Sequence, residues 1–238
     1  MKDIKALFID CDGVLYDKAQ CTYHDIVEVG LHTTMQQLHL SKDEYDQIRQ
    51  DLKKRGIRGV FNTVLALCQK YHHPFDLFAA QMVGHTDYTR ISPDATMLTL
   101  LKKVAKIIPT YIVTNNSAPH LNKIFSCLNK GIPVQDIQDE FGLHVITIEK
   151  TFNNGVFHSK KMPQQLTNLC TQVGEKTENV LLLDDSNSVL EAAIEQGLQV
   201  VPIQKPTDTK TILRRVIHEN TKPQRIVSIR KTCGRSGR

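Results

Sequence analysis

The stretch KALFIDCDGVLYD, Lys5 to Asp17, sets two carboxylates, Asp10 and Asp12, directly after the apolar run Ala6–Ile9. That run is short, β-rich and without polar alternation, which predicts a strand buried on both faces of a parallel sheet. Alternate side chains of extended backbone share a face, and two rises of roughly 3.3 Å bring both carboxyls within reach of one ligand. Gly13 then supplies the freedom to turn out of the sheet. Two like charges held together cost free energy unless a cation lies between them or one keeps its proton. Hard oxygen donors with no His or Cys cluster nearby favour magnesium as that cation.

Working outward, further apolar runs recur at 110–114 (TYIVT), 145–148 (VITI), 180–183 (VLLL) and 198–203 (LQVVPI). Between them, 96–107, 118–131, 163–174 and 188–197 carry helical patterns, and the last three close on Gly. The βαβα alternation predicts an α/β fold, a doubly wound parallel Rossmann-like sheet. Ligands of such sheets bind outside the carboxyl ends of the strands, where Asp10, Thr114 and Asp184 fall. From Asp17 to about Ser92 no strand-like run occurs, and apolar residues recur at helical spacing. This predicts an inserted helical domain, with Ser41 as an N-cap, Gly56 as a stop, Pro74 as a helix opener and ISPDAT (91–96) as the return linker. The predicted organisation is a core over 1–16 and 92–215, a helical insertion over 17–91 and a basic C-terminal tail over 216–238.

The 238 residues, 40% of them apolar, suffice for a sizeable core and exclude a disordered chain. The formal charge of +5 belongs to the tail: residues 222–238 hold six Lys and Arg and no acid, and without them 24 basic residues face 25 acidic ones. The charge balance therefore does not argue for a nucleic-acid-binding body, and any such contact is expected of the tail. Six scattered cysteines make no CxxC pair, which argues against zinc and against a disulfide framework. No run approaches the roughly 20 apolar residues needed to span a bilayer, and the N-terminus lacks a signal-peptide pattern. A cytoplasmic protein without a membrane partner is expected.

Three more stretches carry chemistry. In VLLLDDSNSVLEAA, Asp184 and Asp185 end the most apolar run of the chain; Asp185 or Ser186 could simply cap the next helix, yet two more acids beside Asp10 and Asp12 need a metal to be tolerated. In YIVTNNS, the Thr114 hydroxyl can donate to a phosphoryl oxygen and nearby backbone N–H groups add to the anion site, though Thr, Asn and Ser here could equally make a turn and an N-cap. In FHSKKMPQQL, two lysines precede a predicted helix; an exposed pair could simply be a solvated loop, yet the helix dipole disfavours a cation there unless an anion lies between them.

In this order, DCDGVLY, a strand ending in Thr114, a Lys before a helix, and LLLDDS, the chain resembles the four motifs of the haloacid dehalogenase superfamily over roughly residues 5–203. The insertion after the first motif is similar to the first cap class of that superfamily. TNN and the stretch KRGIRGVFNTV to VGHTDYTRISPD look most like its pyrimidine 5′-nucleotidase branch. Such proteins often place Pro directly after the motif lysine, whereas here Lys161 and Met162 intervene before Pro163; counting back from the helix favours Lys160, with Lys161 as the substitute. The acid or amide often found after the acidic pair is also displaced, since Asn187 comes early and Val189 takes a later slot.

The resemblance implies a magnesium-dependent phosphomonoesterase. Asp10 would be the nucleophile, Asp12 the acid and base, Thr114, Asn115 and Lys160 the phosphate-binding groups, and Asp10, the Asp12 carbonyl, Asp184 and Asp185 the metal site. The implied partner and substrate is a small phosphorylated metabolite such as a (pyrimidine) nucleoside 5′-monophosphate; the alternative is a sugar-phosphate phosphatase or phosphomutase of the same superfamily. The cap would select the leaving group through Arg58, Asn62, His85, Asp87 and Arg90. A hydrolytic dehalogenase does not need an acid at position 12. The non-enzymatic alternative is a phosphate- or nucleic-acid-binding scaffold that uses the basic tail.

Overall fold

The computed structural model describes residues 4–21, 32–55, 60–153, 156–157 and 159–221. Its centre is a five-stranded parallel sheet made of β1 (Ala6–Ile9), β2 (Thr110–Val113), β3 (His144–Ile146), β6 (Val180–Asp184) and β7 (Gln199–Pro202), in the order β3-β2-β1-β6-β7. Two short strands, β4 (Phe152–Asn153) and β5 (Val156–Phe157), pair antiparallel apart from it. All four residues of β1 are buried, as the unbroken apolar run requires of a strand with neighbours on both edges and layers on both faces.

The period of two decides which side chain meets which layer. Leu7 and Ile9 join a cluster with Leu101, Leu121, Phe125 and Leu213, so the helices Ala95–Ala105, Ala118–Leu128 and Pro206–Thr221 cover that face. Ala6 and Phe8 point the other way, to Leu166, Leu169, Val189 and Ala193 of the helices Pro163–Gln172 and Asn187–Glu195. Each fully buried Leu, Ile or Phe contributes about 1.5–3 kcal/mol to holding these layers together. From β1 the chain proceeds to β2 and β3 on one side and later to β6 and β7 on the other. This reversal opens a crevice at the carboxyl end of β1.

The insertion is helical throughout its described parts: 32–37, Lys42–Lys54, Val60–Lys70 and Phe75–His85. The Ser41 Oγ accepts from the Glu44 amide at 3.3 Å, and Pro74 stands at the N-cap of its helix; Gly56 lies outside the described residues. Val64, Leu65, Phe78 and Met82 share one apolar cluster with Val14, Leu15 and Leu121, so the insertion is seated on the sheet's covering layer. The two connecting segments are tied together: Arg90 donates to the Ala19 carbonyl at 3.0 Å and Gln20 to the Ser92 hydroxyl at 3.4 Å.

One boundary differs from the sequence reading. The final helix continues to Thr221, past the expected core limit at 215, because Leu213 and Val216 keep its apolar face on the core. The basic tail from 222 lies outside the described residues. Cys11 follows β1 and is fully buried, and the five described cysteines form no disulfide with one another. Among the described residues no helix is long and apolar enough to cross a membrane.

Candidate active site

The ladder extends one residue beyond the strands and thereby fixes the site. The Asp10 amide donates to the Leu183 carbonyl at 2.9 Å, the Thr114 amide to Ile146 at 3.0 Å and the Ile203 amide to Asp184 at 3.0 Å. Asp10, Thr114 and Asp184 thus stand in a row at the carboxyl edge, 7%, 2% and 0% exposed. Lys160 enters this row from the loop before the Pro163–Gln172 helix. Its Nζ lies 2.5 Å from Asp10 Oδ1, 2.8 Å from Asp184 Oδ2 and 3.3 Å from the Val113 carbonyl. The neighbouring Lys161 is exposed. Between the two lysines left open by the motif spacing, Lys160 is the one brought to the acids.

Asp10, Asp184 and Asp185 each offer an oxygen such that the three atoms lie within 4.8 Å of one another. Burial, reinforced by Asp184 and Asp12, pushes the Asp10 carboxyl up to about 8 despite the pull of Lys160. Burial also works against the Lys160 charge, but Asp10 and Asp184 outweigh it and hold the ammonium above its ordinary range. One lysine therefore does not fully compensate the cluster. The all-oxygen donor set, with no His or Cys in it, fits a hard divalent cation at this point. Asp184 Oδ1 accepts from the Ser186 amide at 2.9 Å, whereas Ser186 makes no side-chain cap bond. The acidic pair is therefore not a mere Asp185 or Ser186 cap.

Asp185 accepts from Lys18 Nζ at 2.5 Å, a contact from the outgoing connection to the insertion. Gly13, at φ +78°, lies so close that a Cβ on it would come within 2.8 Å of Asp185 Cγ. Beside them opens a cavity of about 360 Å³ lined by Gly13, Lys18, Asp185, Asn187 and Gln204, among others. Asn187 thus opens onto this cavity, while Val189 is buried in the core.

The Asp12 carboxylate stands apart from the acidic trio. Its Oδ1 accepts from the Tyr16 hydroxyl and lies 3.2 Å from His120 Nε2, and its Oδ2 accepts from Asn116 Nδ2. Burial would raise its pKa, but His120 and Tyr16 outweigh that and hold it below the ordinary carboxylate value. The Thr114 Oγ1 accepts from the Asn116 amide at 3.1 Å and keeps its own proton to donate. Asn115 Oδ1 accepts from the Lys160 amide at 3.3 Å, positioning the lysine loop.

The insertion residues are placed differently. His85, Asp87 and Arg90 are exposed, and none of them lines the cavity; Asp87 accepts from the Thr89 amide and hydroxyl at 2.9 and 2.6 Å, and Arg90 bridges the two connections. Arg58 and the Asn62 side chain lie outside the described residues. Tyr16, Lys18, Tyr88, Asn116 and His120 are the site residues that the sequence reading missed. His120, in the first turn of the helix after Thr114, is 1% exposed, a burial that the sequence does not reveal.

The doubly wound sheet thus carries a carboxylate-lined site, an acidic cluster with a buried lysine, at its switch point. The model of the haloacid dehalogenase-like hydrolases matches residues 4–197, and the chain belongs to that family. A curated relative, enolase-phosphatase E1 of Persephonella marina, is 34% identical over 107 residues, 45% of this chain and 42% of that protein; the chain thus matches less than half of its length. Among solved structures, the chain is similar to the HAD family enzyme bt-2542 of Bacteroides thetaiotaomicron in complex with magnesium and inorganic phosphate. The identity is 16%, the TM-score 0.48, and 84% of this chain and 93% of that one are covered. It is likewise similar to CbbY of Rhodobacter sphaeroides in complex with phosphate, at 16% identity and TM-score 0.49, with 84% and 86% covered.

Proposed function

We propose that the protein is a magnesium-dependent phosphomonoesterase working through an aspartyl-phosphate on Asp10. The observation that carries this reading is the division of labour between two aspartates two residues apart. Asp10 shares Lys160 with Asp184 and belongs to the acidic trio, whereas Asp12 is held by three donors outside it. A dehalogenase would need only the first.

In the first half-reaction an Asp10 oxygen attacks phosphorus as the ester P–O bond breaks. The bonding pair stays on the leaving oxygen, and the Asp12 carboxylic proton neutralises it. In the second, a water oxygen attacks phosphorus, the P–O bond to Asp10 breaks, and the Asp12 carboxylate takes the water proton. Phosphate leaves, and both side chains return to their starting states. Lys160 and the Thr114 hydroxyl stabilise charge on the phosphoryl oxygens, and Asn115 holds the Lys160 loop. Asp10, Asp184, Asp185 and the Asp12 main-chain carbonyl would hold magnesium, which when bound supplies positive charge to the nucleophile and the phosphoryl group.

The substrate we propose is a nucleoside 5′-monophosphate, a pyrimidine nucleotide first; the support is the likeness of TNN and of the insertion to the nucleotidase branch. The test is a panel of nucleotides, sugar phosphates and other small phosphoesters, with and without magnesium, read as phosphate release. The expected result is magnesium-dependent turnover, highest on the nucleotides and absent in Asp10→Asn. Transfer of the phosphoryl group to a sugar instead of water would establish a mutase, and wild-type turnover in both Asp10→Asn and Asp12→Asn would overturn the assignment. Removal of residues 222–238 should leave turnover intact; loss of a phosphate- or nucleic-acid interaction without any turnover would favour the scaffold.

A further inference from the structure

The geometry points to Tyr88 and His120 as positioning residues that fix where Asp12 carries its catalytic proton, an inference that rests on the acid and base role proposed for Asp12. The pair is buried at the junction of insertion and core. Tyr88 is 4% exposed on the return connection between the helices Phe75–His85 and Ala95–Ala105, and His120 is 1% exposed in the first turn of the Ala118–Leu128 helix. The Tyr88 hydroxyl lies 2.8 Å from His120 Nδ1, and His120 Nε2 lies 3.2 Å from Asp12 Oδ1. A chain of contacts thus runs from the return connection to the catalytic acid.

Donor and acceptor counting gives that chain its direction. An ionised carboxylate has no proton to give, so the His120 nitrogen facing it must donate. With the ring neutral, the other nitrogen, Nδ1, is the acceptor, and the Tyr88 hydroxyl, whose oxygen also meets the Thr86 hydroxyl, is its donor. Tyr88 therefore selects the tautomer in which His120 presents N–H to Asp12. On Asp12 itself, Oδ1 has two lone pairs, one taken by the Tyr16 hydroxyl and one by His120. Among the described residues Oδ2 accepts from Asn116 alone, which leaves its second position for the catalytic proton. The proton delivered to the leaving oxygen consequently resides on Oδ2, and His120 continues to donate to Oδ1 in both half-reactions. No proton passes through His120 or Tyr88; their work is to hold the carboxyl plane and to reserve the second oxygen.

A group that places an acid is needed most where the leaving oxygen is basic. p-Nitrophenyl phosphate departs without much help, whereas an alkyl phosphate or a nucleoside 5′-monophosphate requires the proton. The experiment measures kcat and KM for p-nitrophenyl phosphate, phenyl phosphate and a nucleoside 5′-monophosphate, using wild type, Tyr88→Phe, His120→Asn, the double variant and Asp12→Asn. For His120→Asn the expected result is a kcat loss of about tenfold to a hundredfold on the nucleotide and less than about threefold on the nitrophenyl ester, with KM unchanged. Tyr88→Phe should lose less with the same dependence on leaving group, and the double variant should match His120→Asn, as for residues acting in one chain.

An equal loss on all three esters, with retained circular dichroism, would reduce the pair to a packing role and overturn the inference. So would the absence of any loss. Where His120→Asn fails to fold, Tyr88→Phe carries the same test, since it removes only a hydroxyl. If instead Asp12→Asn turns over the nucleotide at the wild-type rate, the acid assignment itself fails and the failure is not one of positioning.

Discussion

Gly13 packs against the Asp185 carboxylate so closely that the space for a side chain at position 13 is already occupied by that acid. The backbone there is also left-handed, at φ +78°, which glycine adopts without the strain an L side chain incurs. Both observations forbid the same substitution. In Gly13→Ala the new methyl group should push Asp185 away from Asp10 and Asp184, opening the acidic trio. The expected outcome is a loss of stability of about 1–2 kcal/mol and a much higher magnesium requirement for phosphate release. Denaturant titration and a magnesium titration of turnover check the two effects separately, and an unchanged magnesium requirement would show that Asp185 is not part of the cation site.

The two adjacent lysines should behave as opposites. Lys160 is 5% exposed between Asp10 and Asp184, so Lys160→Met leaves two buried acids without their partner. Removing one member of a buried ion group typically costs about 3–5 kcal/mol, and phosphoryl charge stabilisation is lost as well. Turnover should fall by at least about a hundredfold in Lys160→Met. Lys161 is exposed, and Lys161→Ala should stay within about 0.5 kcal/mol of wild type in stability, with turnover close to wild type. Equal losses in the two variants would mean that the loop, not the ammonium of Lys160, is what the site needs.

The legible parts of this chain are those where one short segment decides the outcome. Ala6–Ile9 and Val180–Asp184 are too apolar to be anything but interior strands, and the carboxylates that end them are carried to the rim by the strand direction alone. The helix stops at Gly174 and Gly197 are local as well, both with left-handed φ. His120 and Tyr88 were not legible, because what makes them part of the site is contact across 108 and 32 residues of chain. Asn116 escaped for the same reason, its side chain reaching Asp12 across 104 residues. The pair β4 and β5 escaped because strands of two residues carry no periodicity. Counting back from Pro163 favours Lys160 over Lys161, but what brings it to the acids is which way a loop residue points, and periodicity does not determine that outside regular structure.

Asp94 offers a separable test of how the return connection is anchored. Its Oδ1 accepts from the Met97 amide at 2.9 Å, capping the Ala95–Ala105 helix, and its Oδ2 lies 2.7 Å from Lys210 Nζ on the last helix. Asp94→Asn keeps a capping oxygen and removes the charge, whereas Asp94→Ala removes both. The expected stability loss is about 0.5–1 kcal/mol for the first and about 1–2 kcal/mol for the second. In a double-mutant cycle with Lys210→Ala, the coupling should be present for Asp94→Ala and much reduced from the Asp94→Asn background. Full coupling in that background would assign the pairing to an uncharged hydrogen bond.

The buried thiols should be inert as long as the fold is closed. Burial pushes Cys68 and Cys170 up to about 11, and burial together with Asp12 and Asp10 raises Cys11 well above the ordinary thiol value. The thiolate is the reacting species, so at pH 8 a group with a pKa near 11 is ionised to only about one part in a thousand. Iodoacetamide at that pH should leave Cys11, Cys68 and Cys170 unmodified in the native protein and alkylate them in urea, with the sites read by peptide mass spectrometry. Because Cys68 lies in the insertion and Cys170 in the core, the two thiols also report separately on where the structure opens. Preferential labelling of Cys68 under native conditions would mean that the insertion loosens while the sheet stays closed, and equal protection would mean that the two open as one unit.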